Sequence, residues 1–309
     1  MELKRLEQIT EMSAGNLEGS RIVVAGAAKE AVIEAILDIV KGKKAAAPIL
    51  VGEKKQVEEM LTALGANPGD FSIVPEMDGL NAAETAVELI KEGRANVLMK
   101  GSVGTSELLR PVVKKENGLR TDRTISHVAV YQLPFYHKLL ITSDCGISAY
   151  PNLEQKRDII LNVSETLQLL GYTFPKIAVL CCKEEYDPRM PEVVEARQLQ
   201  EMCQRGELGS CYVRGPISYD LAISRERARL KKFDCEYSGD FDALIVPNIH
   251  AGNILGKCLE LLPGCEMCSY VAGAKIPIIL TSRGAGALER ERCVALASLI
   301  ASRRSKDNE

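Results

Sequence analysis

Short β-rich runs alternate with longer helical stretches along almost all of this 309-residue chain, and that alternation constrains the fold more than any other feature. RIVVAG is followed by AKEAVIEAILDIVKG, APILVG by EKKQVEEMLTALGA, and ANVLMKG by TSELLRPVVKKENG. Further on, KIAVLCC, FDALIVPN and IPIILTS each precede a helical pattern. In AVIEAILDIV, apolar Val32, Ile33, Ile36, Ile39 and Val40 recur at helical spacing. Strands separated by crossover helices pair in parallel, and the helices then cover both sheet faces. The expected class is therefore α/β, with mainly parallel sheets and helices on both faces. A hydrophobic fraction of 46% is enough for a real core. The length suits one large domain or two of ordinary size.

One stretch breaks the alternation. TISHVAVYQLPFYHKLLITSDCG, residues 124–146, reads as two strands joined by a turn at Pro134, with no room for a helix between them. The expected division is a first α/β lobe over 1–130 and a second over 131–284. Boundaries of this kind carry clefts, and clefts at the carboxyl ends of strands bind ligands.

The totals exclude several classes of function. Aromatic residues make up 5% of the chain and Trp is absent, which argues against a base-stacking surface. The formal charge is −3 with no long basic run, so nucleic acid is not the expected partner. MELKRLEQITEMSAG has no apolar stretch of signal-peptide length, and no run reaches membrane-spanning length. A soluble, cytoplasmic protein is expected, its ten Cys reduced and mostly buried. VVAGAAKE does not match a dinucleotide-binding glycine pattern, and there is no Walker A sequence. Cys265-x-x-Cys268 occurs without a second pair, whereas structural zinc needs four ligands. The three His do not form a metal pattern. CKEEYDPRMPE reads as a solvated loop and SRRSKDNE as a frayed polar end.

Polar residues gather at four strand ends. After VLM come Lys100, Gly101, Ser102, Thr105 and Ser106, with Arg110 farther along the helix that follows. Hydroxyls and unpaired N–H groups at a helix N-terminus make an anion site, although Thr105 or Ser106 could equally be a plain N-cap and Arg110 a surface charge. In VPNIHAGNILGK, Asn248 and Asn253 surround His250; Asn orients ligands, and it also caps helices. In ITSDCGISAYPNLEQK, Asp144 follows a strand and Asn152 is placed to cap the next helix. Asp144 is also a candidate to order Arg110 or Arg283. Finally, in KIPIILTSRGAGALERER, Ser282 and Arg283 stand where a buried strand gives way to a helix, with Gly284 and Gly286 beside them and Glu289 six residues beyond Arg283. A guanidinium in that position needs an anion. A carboxylate early in a helix suits the dipole, and becomes a general base if a ligand reaches it.

LMKGSVGTSELLRPVVKKENGLRT, SHVAVYQLP, HKLLITSD, GPISYDLAIS, VPNIHAGNILGK and GAKIPIILTSR together resemble the phosphate acetyltransferase / phosphate butyryltransferase family, in the family's order, from about Asn96 to Arg283. KENGLRT…SHVAV and VPNI.AGN resemble the butyryl branch more closely. The resemblance implies the reaction acyl-CoA plus phosphate giving acyl phosphate plus CoA. It implies two α/β lobes of the isocitrate/isopropylmalate dehydrogenase-like type, with the site in the cleft between them and the last helix, 285–309, returning to the first lobe. It implies no metal or organic cofactor, coenzyme A as a substrate, and a homo-oligomer built on dimers. Arg110 matches the family's early phosphate-handling Arg. Ser282 and Arg283 match its late Ser-Arg pair. Glu289 stands where the family's acid takes the CoA thiol proton, at a place where acetyltransferases carry Asp. Lys100, Gly101, Ser102, Thr105, Ser106, Asp144, Asn248 and Asn253 complete the expected set around the substrates. Tyr150, Tyr131 and Met99 are candidates to bound the acyl group.

The chain departs from the pattern near these positions. The butyryl branch reads S-R-[AS]-D-S-x-E after the late strand, whereas here Gly284-Ala285-Gly286-Ala287-Leu288 separates Arg283 from Glu289. His250 replaces a Glu, and Ser148 replaces an Asn. A phosphate acetyltransferase is the alternative within the family, and two other readings follow. One is a free-standing acyl-CoA sensor without turnover. The other is a metal-dependent dehydrogenase on the related fold, which would need clustered Asp and a nucleotide loop that the sequence lacks.

Overall fold

The computed structural model describes residues 2–14, 20–41, 48–280 and 284–307. The chain opens with α1 (Leu6–Ala14), β1 (Ile22–Ala25), α2 (Glu30–Lys41), β2 (Ile49–Gly52), α3 (Lys54–Ala63), β3 (Ile73–Pro75), α4 (Gly79–Lys91), β4 (Val97–Lys100) and α5 (Thr105–Val113). Then come β5 (Ser126–Gln132), β6 (Leu139–Ser143), α6 (Leu153–Leu169), β7 (Lys176–Leu180), α7 (Pro191–Gln204), β8 (Tyr212–Ile217), α8 (Tyr219–Ile223), α9 (Arg225–Leu230), β9 (Ala243–Ile245) and α10 (Ile249–Glu260). It closes with β10 (Glu266–Ala272), β11 (Ile278–Ile279) and α11 (Ala287–Asp307).

Two compact units emerge: Glu7–Asp122 with Cys268–Glu309, and Met1–Leu6 with Arg123–Met267. The division falls at 122/123 and 267/268, where the sequence suggested 130 and 284. The late segment rejoins the N-terminal unit this early because β11 pairs in parallel with β4, Ile278 opposite Leu98 and Ile279 opposite Met99.

In the unit of β1–β4 the strands run in the order β3-β2-β1-β4-β11-β10. β1 pairs in parallel with β2 and β4, and β10 is antiparallel to β11. All four residues of β1, IVVA, are buried, as expected for a central strand covered on both faces. α4 begins where the Asp78 carboxylate accepts from Leu80 N (2.7 Å) and Asn81 N (3.2 Å), and it buries Ala82, Ala83, Ala86, Val87, Leu89 and Ile90. α11 buries residues almost all round, from Cys293 to Leu299, which explains why its sequence shows no clean polar face. Between β2 and β3 the chain moves outward, then returns past β1 to form β4. That reversal makes the carboxyl ends of β1 and β4 a topological switch point, where α/β sheets bind ligands.

In the unit of β5–β9 the order is β5-β6-β9-β7-β8. β5 and β6 form the antiparallel hairpin read from 124–146, and the other pairings are parallel. Its turn is anchored from beneath. The nearly buried Lys138 bonds to Asp242 (2.6 Å) and Asp240 (2.9 Å), and the Tyr136 hydroxyl donates to Phe241 O (2.7 Å). A buried ammonium is tolerable only with such partners. α6 opens with a reciprocal cap: Asn152 Oδ1 accepts from Gln155 N, and Gln155 Oε1 accepts from Asn152 N, both at 3.0 Å. Among the described residues no helix is long and apolar enough to cross a membrane.

Candidate active site

The switch point of the first unit is built by two glycines. Gly101 N donates to Ala25 O (2.9 Å) and Ser102 N to Gly26 O (2.7 Å), lacing the end of β4 to the end of β1. A Cβ on Gly101 would lie 2.3 Å from Gly26 O and 2.7 Å from Ala25 O, both backbone atoms. Gly26 has φ +78°, and a Cβ there would lie 2.7 Å from Ser102 Oγ. Gly101→Ala is accordingly expected to destabilise the protein by about 1–3 kcal/mol, since neither neighbour can move aside. Urea unfolding of the variant checks this, and an unchanged midpoint would contradict the close approach.

α5 starts directly after this crossing. Its N-cap is Gly104, not Thr105 or Ser106, which occupy the first two helical positions. The Glu107 carboxylate accepts from Gly104 N (2.7 Å), so the cap comes from within the first turn and leaves both hydroxyls exposed. Ser106 and Arg110, four residues apart, share a helix face and line a shallow depression of about 350 Å³ with Leu80 and Glu107. Lys100 is half-buried and Arg110 exposed, and neither makes an ion pair among the described residues. The unit thus presents Lys100 and two exposed hydroxyls at the positive end of a helix, with Arg110 in the last turn on the same face as Ser106.

Glu289 lies half-buried in the first turn of α11. Burial pushes up the thiols of Cys268 and Cys293, and the Glu289 charge adds to both, so this carboxylate sits on the Cys293 side of the helix. The segment before α11 is pinned by Arg290, whose Nη1 donates to Ala285 O (2.5 Å) and Nη2 to Asp38 (3.4 Å) on α2. Ser282 and Arg283 lie outside the described residues.

In the other unit, Asp144 is buried at the end of β6 and its carboxylate accepts four backbone N–H groups. Oδ1 accepts from His127 N (3.2 Å), Gly146 N (2.9 Å) and Ile147 N (3.0 Å), and Oδ2 from Ser148 N (2.9 Å). Four backbone donors, three on Oδ1 and one on Oδ2, tie this carboxylate to the hairpin and to its own loop. Asn248 caps α10, its side chain accepting from Ala251 N (3.1 Å). The two strand ends meet: Val246 N donates to Ser143 O (2.9 Å) and Ile249 N to Ala149 O (3.0 Å). Gly252 lets α10 rest on this loop, since a Cβ there would lie 3.0 Å from Asp144 O and 2.7 Å from Val246 Cγ2. Asn253 is exposed on α10 and its side chain makes no hydrogen bond among the described residues.

Two residues gain significance only in the structure. His127 sits opposite Asp144 across the hairpin, and its Nδ1 is buried without a hydrogen-bond partner among the described residues. Burial lowers its pKa, and the Asp144 charge opposes that in part. The hairpin register, Ala129 opposite Thr142, is the signal that would have paired them. His250 Nε2 lies 2.9 Å from the Tyr150 hydroxyl, and both side chains are exposed. Of the acyl-pocket candidates, Tyr131 and Met99 are core residues with no open face; Tyr150 is 71% exposed. Among the described residues no cluster of His, Cys, Asp or Glu could hold a metal ion, Cys265 and Cys268 included.

Residues 72–298 match the family described as phosphate acetyl/butaryl transferase. The chain belongs to this family. It is 37% identical to the phosphate butyryltransferase of Clostridium acetobutylicum over 290 residues, covering 94% of this chain and 96% of that protein. It is equally, 37%, identical to the phosphate acetyltransferase of Rhizobium meliloti over 257 residues, covering 83% and 81% of the two chains. Among solved structures, the branched-chain phosphotransacylase from Enterococcus faecalis V583 superposes with a TM-score of 0.78 at 28% identity, covering 91% of this chain and 99% of that one. The span matched to the phosphate acetyl/butaryl transferase family contains every candidate residue of both units, from Lys100 to Glu289.

Proposed function

We propose that this chain moves a short acyl group between coenzyme A and inorganic phosphate, acyl-CoA plus phosphate giving acyl phosphate plus CoA, with butyryl or a group of similar length preferred. The observation that carries the reading is the exposed Arg110, without an ion pair among the described residues, on the same face of α5 as the first-turn hydroxyl of Ser106, at the switch point of a chain of this family. Arg110 and Lys100 hold phosphate, Arg110 through forked hydrogen bonds, with Gly101, Ser102, Thr105 and Ser106 supplying further donors. Arg283 adds a second guanidinium. Ser282 and backbone N–H groups steady the oxyanion that forms as phosphate attacks the thioester carbonyl. In the reverse direction Glu289 takes the CoA thiol proton. Asp144 acts as a positioning residue for the loop 144–148, Asn248 fixes the start of α10, and Asn253 offers an exposed amide to a substrate.

Both substrates are held together and one attacks the other, so no covalent enzyme intermediate is needed and none of the ten Cys acts as nucleophile. No resident cofactor is required. The assembly expected is a dimer.

Arg110→Ala removes charge-assisted hydrogen bonds worth about 1.5–3 kcal/mol, so kcat/KM for phosphate is expected to fall roughly 10- to 150-fold with the melting temperature unchanged. A full-rate variant would remove Arg110 from the phosphate site. The acyl preference is tested by phosphate-dependent CoA release, read by chromatography, from acetyl-, propionyl-, butyryl-, isobutyryl- and hexanoyl-CoA. Fastest release from butyryl-CoA supports the proposal, and fastest release from acetyl-CoA overturns the acyl assignment alone. The shifted acid after Arg283 favours one rival, a non-catalytic acyl-CoA sensor. Binding of every acyl-CoA with no release would establish it.

A further inference from the structure

The loop after β6 holds a large aromatic side chain in water. Tyr150 is 71% exposed, yet the backbone around it is fixed on both sides. Before it, the Asp144 carboxylate accepts from the N–H groups of Gly146, Ile147 and Ser148, and Ala149 O accepts from Ile249 N (3.0 Å). After it, Pro151 is buried and Asn152 caps α6. A proline also restricts the residue before it to extended conformations. The exposure of Tyr150 is therefore not that of a loose loop tip; the backbone holds the ring out.

The side chain is held as well. Its hydroxyl lies 2.9 Å from Nε2 of His250 in the first turn of α10, and the two ring centroids are 5.7 Å apart. Ile254 follows His250 one turn later on the same helix face and is 65% exposed. His250 thus stands between an exposed ring and an exposed sec-butyl group. All three lie at the carboxyl ends of β6 and β9, adjacent parallel strands whose ends are joined by the bond from Val246 N to Ser143 O. That is the end of an α/β sheet where ligands bind. Apolar surface held in water at such a place marks contact with the apolar part of a ligand. Residues 146–151 and 248–254 contain no Asp, Glu, Lys or Arg, so the surface suits an uncharged group rather than phosphate.

We propose that Tyr150 and Ile254 bound the acyl chain of the thioester and so set its preferred length, with His250 the positioning residue that fixes the ring; this rests on the acyl-transfer reading above. The ring offers a flat apolar face and Ile254 a branched one, and neither needs to move to receive the chain. Each methylene taken out of water is worth about fourfold in affinity. Butyryl exceeds acetyl by two methylenes, so a surface that covers both separates the two thioesters by about fifteenfold. His250 acts on the chain only through the Tyr150 hydroxyl.

The test measures kcat/KM with phosphate for acetyl- and butyryl-CoA and reads their ratio, which a general loss of structure does not move. Tyr150→Ala is expected to lower the butyryl-to-acetyl ratio about fivefold to fifteenfold, and Ile254→Ser about threefold. Tyr150→Phe and His250→Ala are each expected to lower it about twofold to threefold, and the double variant no further than His250→Ala alone, because both break the same hydrogen bond. A Tyr150→Ala ratio within about twofold of the original overturns the proposal. This holds also where both thioesters are slowed alike, since the ring then meets a part that they share. Additive effects of Tyr150→Phe and His250→Ala overturn the role of His250. If the unmutated protein releases no CoA with phosphate, the transfer reading fails by itself. The same ratio is then taken from the dissociation constants of butyryl- and acetyl-CoA, measured by calorimetry, and is decided by the same outcomes. Both side chains stand in water, so the variants are expected to fold, and Ile254→Ser tests the surface independently of the loop.

Discussion

Asp144→Ala is expected to lower the unfolding free energy by about 2–4 kcal/mol and to take most of the activity with it. The carboxylate collects four backbone N–H groups, from His127, Gly146, Ile147 and Ser148. Alanine leaves all four without their acceptor. Water reaches the exposed backbone of Gly146, so the loss is smaller than four full desolvation penalties. Asp144→Asn is the sharper variant. Its amide keeps one acceptor oxygen but turns an N–H₂ group toward a backbone donor, so about 1–2 kcal/mol should still be lost. Urea denaturation measures both: the midpoint falls while the slope stays constant. An Asp144→Ala midpoint equal to that of the unmutated protein would show that the carboxylate does not organise the loop. Activity lost without loss of stability would instead make Asp144 a substrate contact.

Glu289→Gln is expected to reduce turnover in the direction acyl phosphate plus CoA by about 10²–10⁴ while leaving CoA affinity unchanged. An ordinary thiol has a pKa near about 8.5 and is mostly protonated at neutral pH, so its attack depends on a base. Gln has nearly the same shape and keeps the helix start intact, but cannot take a proton. The separation of rate from affinity is the informative part. A change in both would mark Glu289 as a binding or packing residue. A rate within about threefold of the original would move the base elsewhere.

Much of the architecture was legible because it depends on periodicity. Runs such as IVVA and ILVG are buried on both faces and appear in sequence as unbroken apolar strings. Asn152 was legible as a cap because it stands directly before a helical pattern, whereas Asn248 could be read as a cap or as a ligand contact until its bond to Ala251 N was seen. Other features were hidden for physical reasons. Gly104 has no side chain to announce a cap, and the oxygen that satisfies its N–H belongs to Glu107. Asp144 reads in sequence as a substrate-binding or charge-pairing residue, and its backbone partners leave no mark there. The early return of the chain to its first unit rests on the pairing of Ile278–Ile279 with Leu98–Met99, a contact between segments nearly two hundred residues apart. Tyr131 and Met99 resemble pocket residues in sequence, but both are buried in the core.

The most direct test of phosphoacyl transfer is to incubate the purified protein with butyryl-CoA, with and without inorganic phosphate, and to trap the product with hydroxylamine. Above the enzyme-free background that hydroxylamine itself gives with the thioester, butyryl hydroxamate and free CoA should form in equal amounts, and only when phosphate is present. CoA released at the same rate without phosphate would mean hydrolysis of the thioester, and would contradict the assignment of Arg110 and the α5 N-terminus to a phosphate substrate.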